Sequence, residues 1–244
     1  MAGAPLRIGI EQALCTEPLI QYFQHSPAIQ AGLLFESSAQ LVDRMMLNEC
    51  NAAFMNPIEY AKSSSDFCLY PSVAVSSYEG ESTLVLCVKK DIHSLSTVAF
   101  GSALVSEIIL TKILLAEQFE SEISFVPSSG TLTDAFKKAD AVLLSGAAAL
   151  QSEWDGVQID LIAEWSEMTD LPFVHLVCAG KRDSKNEEIF SLLERFTLPE
   201  ENGKKYPYEY FFNAEHRASL DEFFHLAYYH GILPDIPDIA MFEK

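Results

Sequence analysis

The chain has 244 residues, 49% of them apolar and 11% aromatic, which is ample for one large or two small buried cores and marks a globular chain, not a disordered one. Thirty-five acidic against sixteen basic side chains leave a formal charge of −19, so the surface field repels nucleic acid and anionic membrane. No run approaches the roughly 18 apolar residues of a membrane span. An anionic small molecule is still admissible, because backbone N–H groups at helix N-termini hold a carboxylate locally whatever the global charge.

Leu6–Ile10 reads as a first strand, followed by a helix from Pro18 to Phe23 with Glu17 at its positive end. Ser38–Cys50 carries Leu41, Met45 and Met46 on one face, with Ser37 or Ser38 as cap. Ala52–Met55 is a short buried strand ending at Asn56-Pro57, and Ile58–Lys62 opens another helix. Ser82-Thr83-Leu84-Val85-Leu86-Cys87-Val88 is strand-like and runs into Lys89-Lys90. Its counterpart about 90 residues on is Thr169-Asp170-Leu171-Pro172-Phe173-Val174, continuing through Val177–Gly180 into Lys181-Arg182. The two read as paired hinge crossings between lobes, with lobe one at residues 1–88 and 175–244, lobe two at 89–174, and a ligand cleft between them.

Within the middle block, Thr97–Phe100 is a strand and Ser106–Phe119 a helix with Ile109, Ile113 and Ala116 inward. Ile123–Val126 is again a strand, Thr131 and Asp134 cap a short helix over Leu132–Ala139, and Ala141–Leu144 is a buried strand. This β-α-β-α-β order indicates α/β architecture with largely parallel sheets. Asn186–Phe196 and Ser219–His230 are amphipathic helices separated by a loop holding Pro199, Gly203 and Pro207.

Five cysteines, Cys15, Cys50, Cys68, Cys87 and Cys178, include no Cys-x-x-Cys pair and mostly lie in apolar runs, as reduced thiols do. With no apolar signal core before the first strand, this leads to the expectation of a cytoplasmic protein. Nucleotide cradles of the Gly-x-Gly-x-x-Gly or Gly-x-x-x-x-Gly-Lys type are absent, as is a Gly-x-Ser-x-Gly elbow. His216, His225 and His230 are spaced by nine and five, which does not repeat on one helical face, so no metal site is expected. His175 in the second crossing fits a core histidine better than a base.

Several positions support two readings. Cys15 precedes a helix N-terminus, where a thiol is activated, yet it suits a small buried hydrophobe equally. Glu59 is either a cleft acid or a carboxylate favoured by its own helix end. Ser102 and Ser106 bracket a helix start and either cap it or leave its N–H groups to an anion. Ser145-Gly146 follows a strand, as ligand loops do in α/β folds and as ordinary turns do.

Taken together, a set of segments resembles the menaquinone-biosynthesis proteins of the futalosine pathway, in their chorismate dehydratase branch. They are Arg7-Ile-Gly-Ile with Pro18-Leu19, Ile58-Glu59-Tyr60-Ala61, Ser82-Thr-Leu-Val-Leu, Thr97-Val-Ala-Phe before Lys112-Ile-Leu-Leu, Ala139-Asp140-Ala-Val-Leu-Leu, Trp165 with Thr169-Asp-Leu-Pro-Phe-Val, and Leu220…Phe223…Gly231-Ile232. The resemblance spans nearly the whole chain. It implies a two-lobed, type 2 periplasmic-binding-protein-like α/β fold and a cofactor-free hydro-lyase that takes water from chorismate. It further implies Ser82, Thr83, Ser102 and Ser106 as carboxylate donors, Asn56, Ser145 and Gly146 lining the cleft, and Cys15 or Glu59 as the reactive group. The partner is a small carboxylate, and the protein a monomer or homodimer. The chain departs from the family pattern at Cys15, at Asn56-Pro57, at Leu104-Val-Ser106-Glu107, which sets a glutamate near a carboxylate position, and at Gly146. A solute-binding protein of a transporter and a non-catalytic sensor for a small carboxylate are the other readings.

Overall fold

The computed structural model describes residues 6–26, 32–78, 80, 82–89, 92, 95–119, 122–198 and 206–243. Lys90, Pro199 and Gly203, used in the sequence reading, lie outside this set. The chain divides into two compact units, Met1–Ser76 with Val174–Lys244, and Ser77–Phe173.

In the first unit, β1 (Ile8–Ile10), α1 (Glu17–Gln24), β2 (Leu33–Phe35), α2 (Ser38–Met46), β3 (Ala52–Met55), α3 (Pro57–Lys62) and β4 (Phe67–Ser77) are followed, after the second unit, by β10 (Phe173–Lys181), α8 (Glu187–Glu194) and α9 (Ala214–Tyr229). Its sheet has the order β2-β1-β3-β10-β4. β1 runs parallel to both neighbours, while β10 is antiparallel to β3. All four residues of β3 are buried, which is why its sequence is a continuous apolar run without alternation. Helix starts follow local chemistry. Ser37 and Gln40 form a capping box for α2, Asn56 Oδ1 accepts from Glu59 N ahead of Pro57, and Asn186 and Asn213 cap α8 and α9. α2 stops at Met46, and Asn48 beyond it takes a left-handed φ of 59°. Met46, expected inward, is therefore 45% exposed at the helix end.

The second unit holds β5 (Leu84–Val88), β6 (Thr97–Phe100), α4 (Val105–Phe119), β7 (Ser124–Pro127), α5 (Leu132–Ala135), β8 (Ala141–Ser145), α6 (Ala147–Leu150), β9 (Val157–Asp160) and α7 (Leu161–Thr169). Its sheet has the order β7-β6-β8-β5-β9. β6 is parallel to β7 and β8, and β5 is antiparallel to both β8 and β9. The α4 face differs by one step from the expected one, with Leu110, Ile113, Leu114 and Leu115 buried.

The first crossing is corrected by this topology. Leu84–Val88 is interior to the second sheet, paired on both sides, so residues 77–88 belong to the second unit. The strand that carries the chain out of the first unit is β4, unrecognised in the sequence because Pro71 interrupts it. Proline is tolerated there because β4 is an edge strand. Its outer edge is covered by backbone bonds from Leu69 to Ala240 and Phe242, and from Ser76 to Glu209. The return occurs at Phe173/Val174. One cation after each apparent crossing holds backbone. Lys89 donates to Phe136 O, and Arg182 donates to the carbonyls of Ser64, Ser65 and Phe67.

All five cysteines are buried free thiols, and burial pushes the Cys50 thiol up to about 11. Among the described residues no helix is long and apolar enough to cross a membrane, and no group of three or more His, Cys, Asp or Glu is placed to hold a metal ion.

Two outcomes follow from the packing. A Cβ at Gly32 would fall on the Leu6 carbonyl oxygen, between strands joined there by Ile8 N–H to Gly32 O at 2.8 Å. Gly32→Ala should therefore lower stability by on the order of 2–4 kcal/mol, read as a lower urea midpoint at unchanged m-value. Buried His216, with Nε2 2.8 Å from Ser76 Oγ and Nδ1 2.6 Å from Asn213 Oδ1, has its pKa pushed down to about 4 by burial. The unfolded chain, with histidine near 6.5, binds the proton first as pH falls, so this stability is present above about 6.5 and is lost towards 4. Between pH 7 and 5 the loss attributable to His216 is about 2 kcal/mol, and His216→Gln should flatten the pH dependence of the urea midpoint by that amount.

Candidate functional site

Because β6, β7 and β8 are parallel, the loops after Phe100, Pro127 and Ser145 leave the second sheet at one edge. Antiparallel β5 brings its N-terminal end to the same edge, with Leu84 opposite Ser145 and Val85 opposite Asp160. The fold thus gathers Ser82, Thr83, Ser102, Ser145 and Gly146 at the strand ends, where α/β sheets commonly bind ligands. A pocket of about 270 Å³ opens there, lined by Phe100, Gly101, Ser102, Ser128, Thr131 and Ser145 over an apolar floor that includes Leu132 and Val142. Among the described residues no charged side chain lines it. The Ser102 and Ser128 hydroxyls have no side-chain partner among the described residues.

The remaining hydroxyls are engaged internally. Ser82, at a left-handed φ of 43°, donates to Asp160 Oδ2 at 2.7 Å, while Asp160 Oδ1 caps α7 through Ile162 N and Ala163 N. Thr83 is buried, its Oγ1 3.2 Å from Ser77 Oγ and its carbonyl receiving the Gly146 N–H at 2.9 Å. Ser145 Oγ donates to Glu107 Oε2 at 2.7 Å, and the same oxygen takes the Leu104 N–H at 2.8 Å at the start of α4. Ser106 and Glu107 are both buried. The backbone at Gly146 lies at φ 58°, ψ −124°, which favours glycine after the serine. Donation to Asp160 and Glu107 makes Ser82 and Ser145 acceptors towards anything else, whereas Ser82 was expected as a carboxylate donor and Ser145 as a residue lining the cleft.

In the first unit, the ends of β1, β2 and β3 carry Glu11, Glu36 and Asn56. Glu11 Oε2 accepts from the Ser38 hydroxyl and, at 3.4 Å, from Asn56 Nδ2, and Ser38 Oγ accepts the Asn56 N–H at 2.8 Å. A shallow pocket of about 380 Å³ lies beside this cluster, lined by Glu11, Gln12, Phe35, Glu36, Ser37 and Gln40. The Arg44 guanidinium holds the Glu36 carboxyl below its ordinary range. Cys15 lies in a short 3-10 turn with 2% exposure, and its carbonyl accepts from Tyr210 Oη at 2.9 Å. Glu59 is half-buried and paired with Lys62 at 2.7 Å. Glu11 was not singled out from the sequence. The signal that could have found it is its position, the first residue after a strand in a β–α unit.

Asn56 both caps α3 and holds Glu11, so Asn56→Ala should cost about 1 kcal/mol for the cap alone, and more if the Glu11 contact contributes. Thermal unfolding of Asn56→Ala beside Glu11→Gln separates the two, because only the first removes the cap.

Residues 6–236 match the family model described as menaquinone biosynthesis. Among solved structures, protein AF1704 from Archaeoglobus fulgidus is similar at 14% identity, covering 96% of this chain and 100% of that one with a TM-score of 0.63. The periplasmic aliphatic sulphonate binding protein SsuA from Escherichia coli matches at 14% identity over 96% of this chain and 95% of its own, TM-score 0.61. An ABC transporter protein from Parabacteroides distasonis matches at 16% identity over 98% and 99%, TM-score 0.63. These likenesses show the fold, a two-lobed α/β arrangement of the type 2 periplasmic-binding-protein kind.

Proposed function

Since the chain belongs to the menaquinone-biosynthesis family and its role lies in that pathway, we propose that it is a hydro-lyase similar to chorismate dehydratase. The reaction is the loss of water from a hydroxylated cyclohexadiene carboxylate, giving an aromatic ring. It requires a ring proton to be taken and a hydroxyl to leave with a proton, without change of oxidation state. The observation that supports this reading is the pocket at the ends of β6, β7 and β8, sized for a six-membered ring, with an apolar floor and a hydroxyl rim. Ser102 and Ser128 are the hydroxyls available to a substrate, and each orients its proton to suit the group it meets.

The second reading is a non-catalytic binder of a small ligand. It is favoured by the engagement of Ser82 with Asp160, which removes one of the expected carboxylate donors, and of the cleft-lining Ser145 with Glu107.

Purified protein incubated with chorismate should yield a product lighter by one water, followed by mass spectrometry against heat-inactivated protein. A folded chain that leaves chorismate unchanged would reject the lyase and leave the binder. If the lyase holds, Ser102→Ala should raise KM by roughly tenfold, the loss of a hydrogen bond of about 1.4 kcal/mol, with kcat changed less.

A further inference from the structure

An N-terminal glutamate reaching back to the first N–H of its helix is ordinary capping and says nothing about a ligand. Glu107 does more. Its side chain is 1% exposed, and the oxygen that takes the Leu104 N–H also takes the hydroxyl proton of Ser145, 38 residues away and on the pocket wall. A carboxylate oxygen in hydrogen-bond contact with a hydroxyl forces that hydroxyl to be the donor, and serine has one proton to give. What Ser145 turns towards the pocket is therefore its lone pairs. Burial keeps water from competing for the pair and leaves the carboxylate poorly screened.

We propose that Glu107 sets the polarity of the second unit's pocket. Through Ser145 it makes that wall an acceptor, so the pocket selects an uncharged hydroxyl or N–H group of the ligand and turns a carboxylate away. The proposal rests on the pocket being the ligand surface of the preceding section, and it deepens that reading. The ring and its hydroxyl are what this pocket receives, and the acidic groups of the ligand are held elsewhere.

The test is a binding comparison on the full chain between two probes of one shape, 3-hydroxybenzyl alcohol and 3-hydroxybenzoate, by calorimetry or ligand-observed NMR. The wild-type chain should bind the alcohol at least tenfold more tightly than the carboxylate. In Glu107→Gln the negative charge is gone and the amide can donate to Ser145, freeing its proton for the ligand, so the ratio should fall at least tenfold. Ser145→Ala should remove most of the preference by itself and make the added Glu107→Gln change nearly silent. Equal or tighter binding of the carboxylate by the wild type overturns the proposal. So does a ratio unmoved by both substitutions, or no binding of either probe at millimolar concentration by protein shown folded. If Glu107→Gln does not fold, Ser145→Ala decides alone. Chorismate turnover is not part of this readout. A preference for the alcohol with chorismate left intact would reject the lyase and keep the polarity, and turnover without any preference would do the reverse.

Discussion

The first unit depends on one pairing, that of β4 with β10. β10 sits between β3 and β4, so β4 joins the sheet only through a strand that lies beyond the whole second unit in sequence. The sheet is therefore incomplete until about residue 181 has been made, and its closing contacts carry a large loop-closure cost. The same position explains Pro71 within an eleven-residue strand, since an edge tolerates the missing donor. It also explains why late segments of the chain fold onto β4. Ala240 and Phe242 bond Leu69, Glu209 bonds Ser76, and buried His216 reaches the Ser76 hydroxyl. Tyr70 packs on Phe190 and Phe242 at centroid distances of 6.0 and 4.7 Å, tying the same strand to α8 and to the C-terminal segment.

Parallel strands impose the second constraint. Their C-terminal ends lie on one edge, and in each unit that edge collects the polar residues that follow them. The two edges differ in chemistry. The first presents Glu11 and Glu36 among amides and hydroxyls, and the second an uncharged rim of hydroxyls backed by a buried glutamate. In both, serine hydroxyls donate to carboxylates of the chain itself. Ser38 does so to Glu11, Ser145 to Glu107 and Ser82 to Asp160. Such donation orients each serine in one direction and converts it from an adaptable group into a fixed acceptor. A serine fixed this way, as Ser145 is, discriminates between a ligand hydroxyl and a ligand carboxylate more sharply than a free one would, because a mismatched group meets lone pairs next to a buried charge.

Membership of the menaquinone-biosynthesis family places the chain in a pathway, and likeness to binding proteins of 14–16% identity places it in a fold that serves many ligands. Neither reaches the level at which activity is decided, which is the orientation of individual protons and carboxylates at the strand ends. There the chain differs from the donor-rich site that its resemblance to chorismate dehydratases implies. Ser106 is buried, and Gly146 and Thr83 bond each other through backbone. The charge of −19 adds a long-range penalty for any dianion approaching the molecule, so local donors at the site have correspondingly more to do.

What the sequence determined by itself was the set of locally encoded elements. β3, β6 and β8 are short apolar runs bounded by turn residues, α2 announces itself through its serine cap, α3 through Pro57 at its start, and α8 and α9 through their apolar stripes. The α/β class and the menaquinone-family resemblance were also legible, because both rest on the order of such elements. The tertiary structure alone decided what depends on residues far apart in the chain. Strand β4, masked by Pro71, is a strand because β10 pairs with it. Leu84–Val88 is no crossing because β8 and β9 flank it. Cys15 is enclosed and Glu59 ion-paired, while Glu11, silent in the sequence, stands at a strand end between Ser38 and Asn56. Whether Ser145 is a donor or an acceptor is settled by a glutamate 38 positions earlier, and hydrogen-bond direction is a property of the pair that no single position encodes.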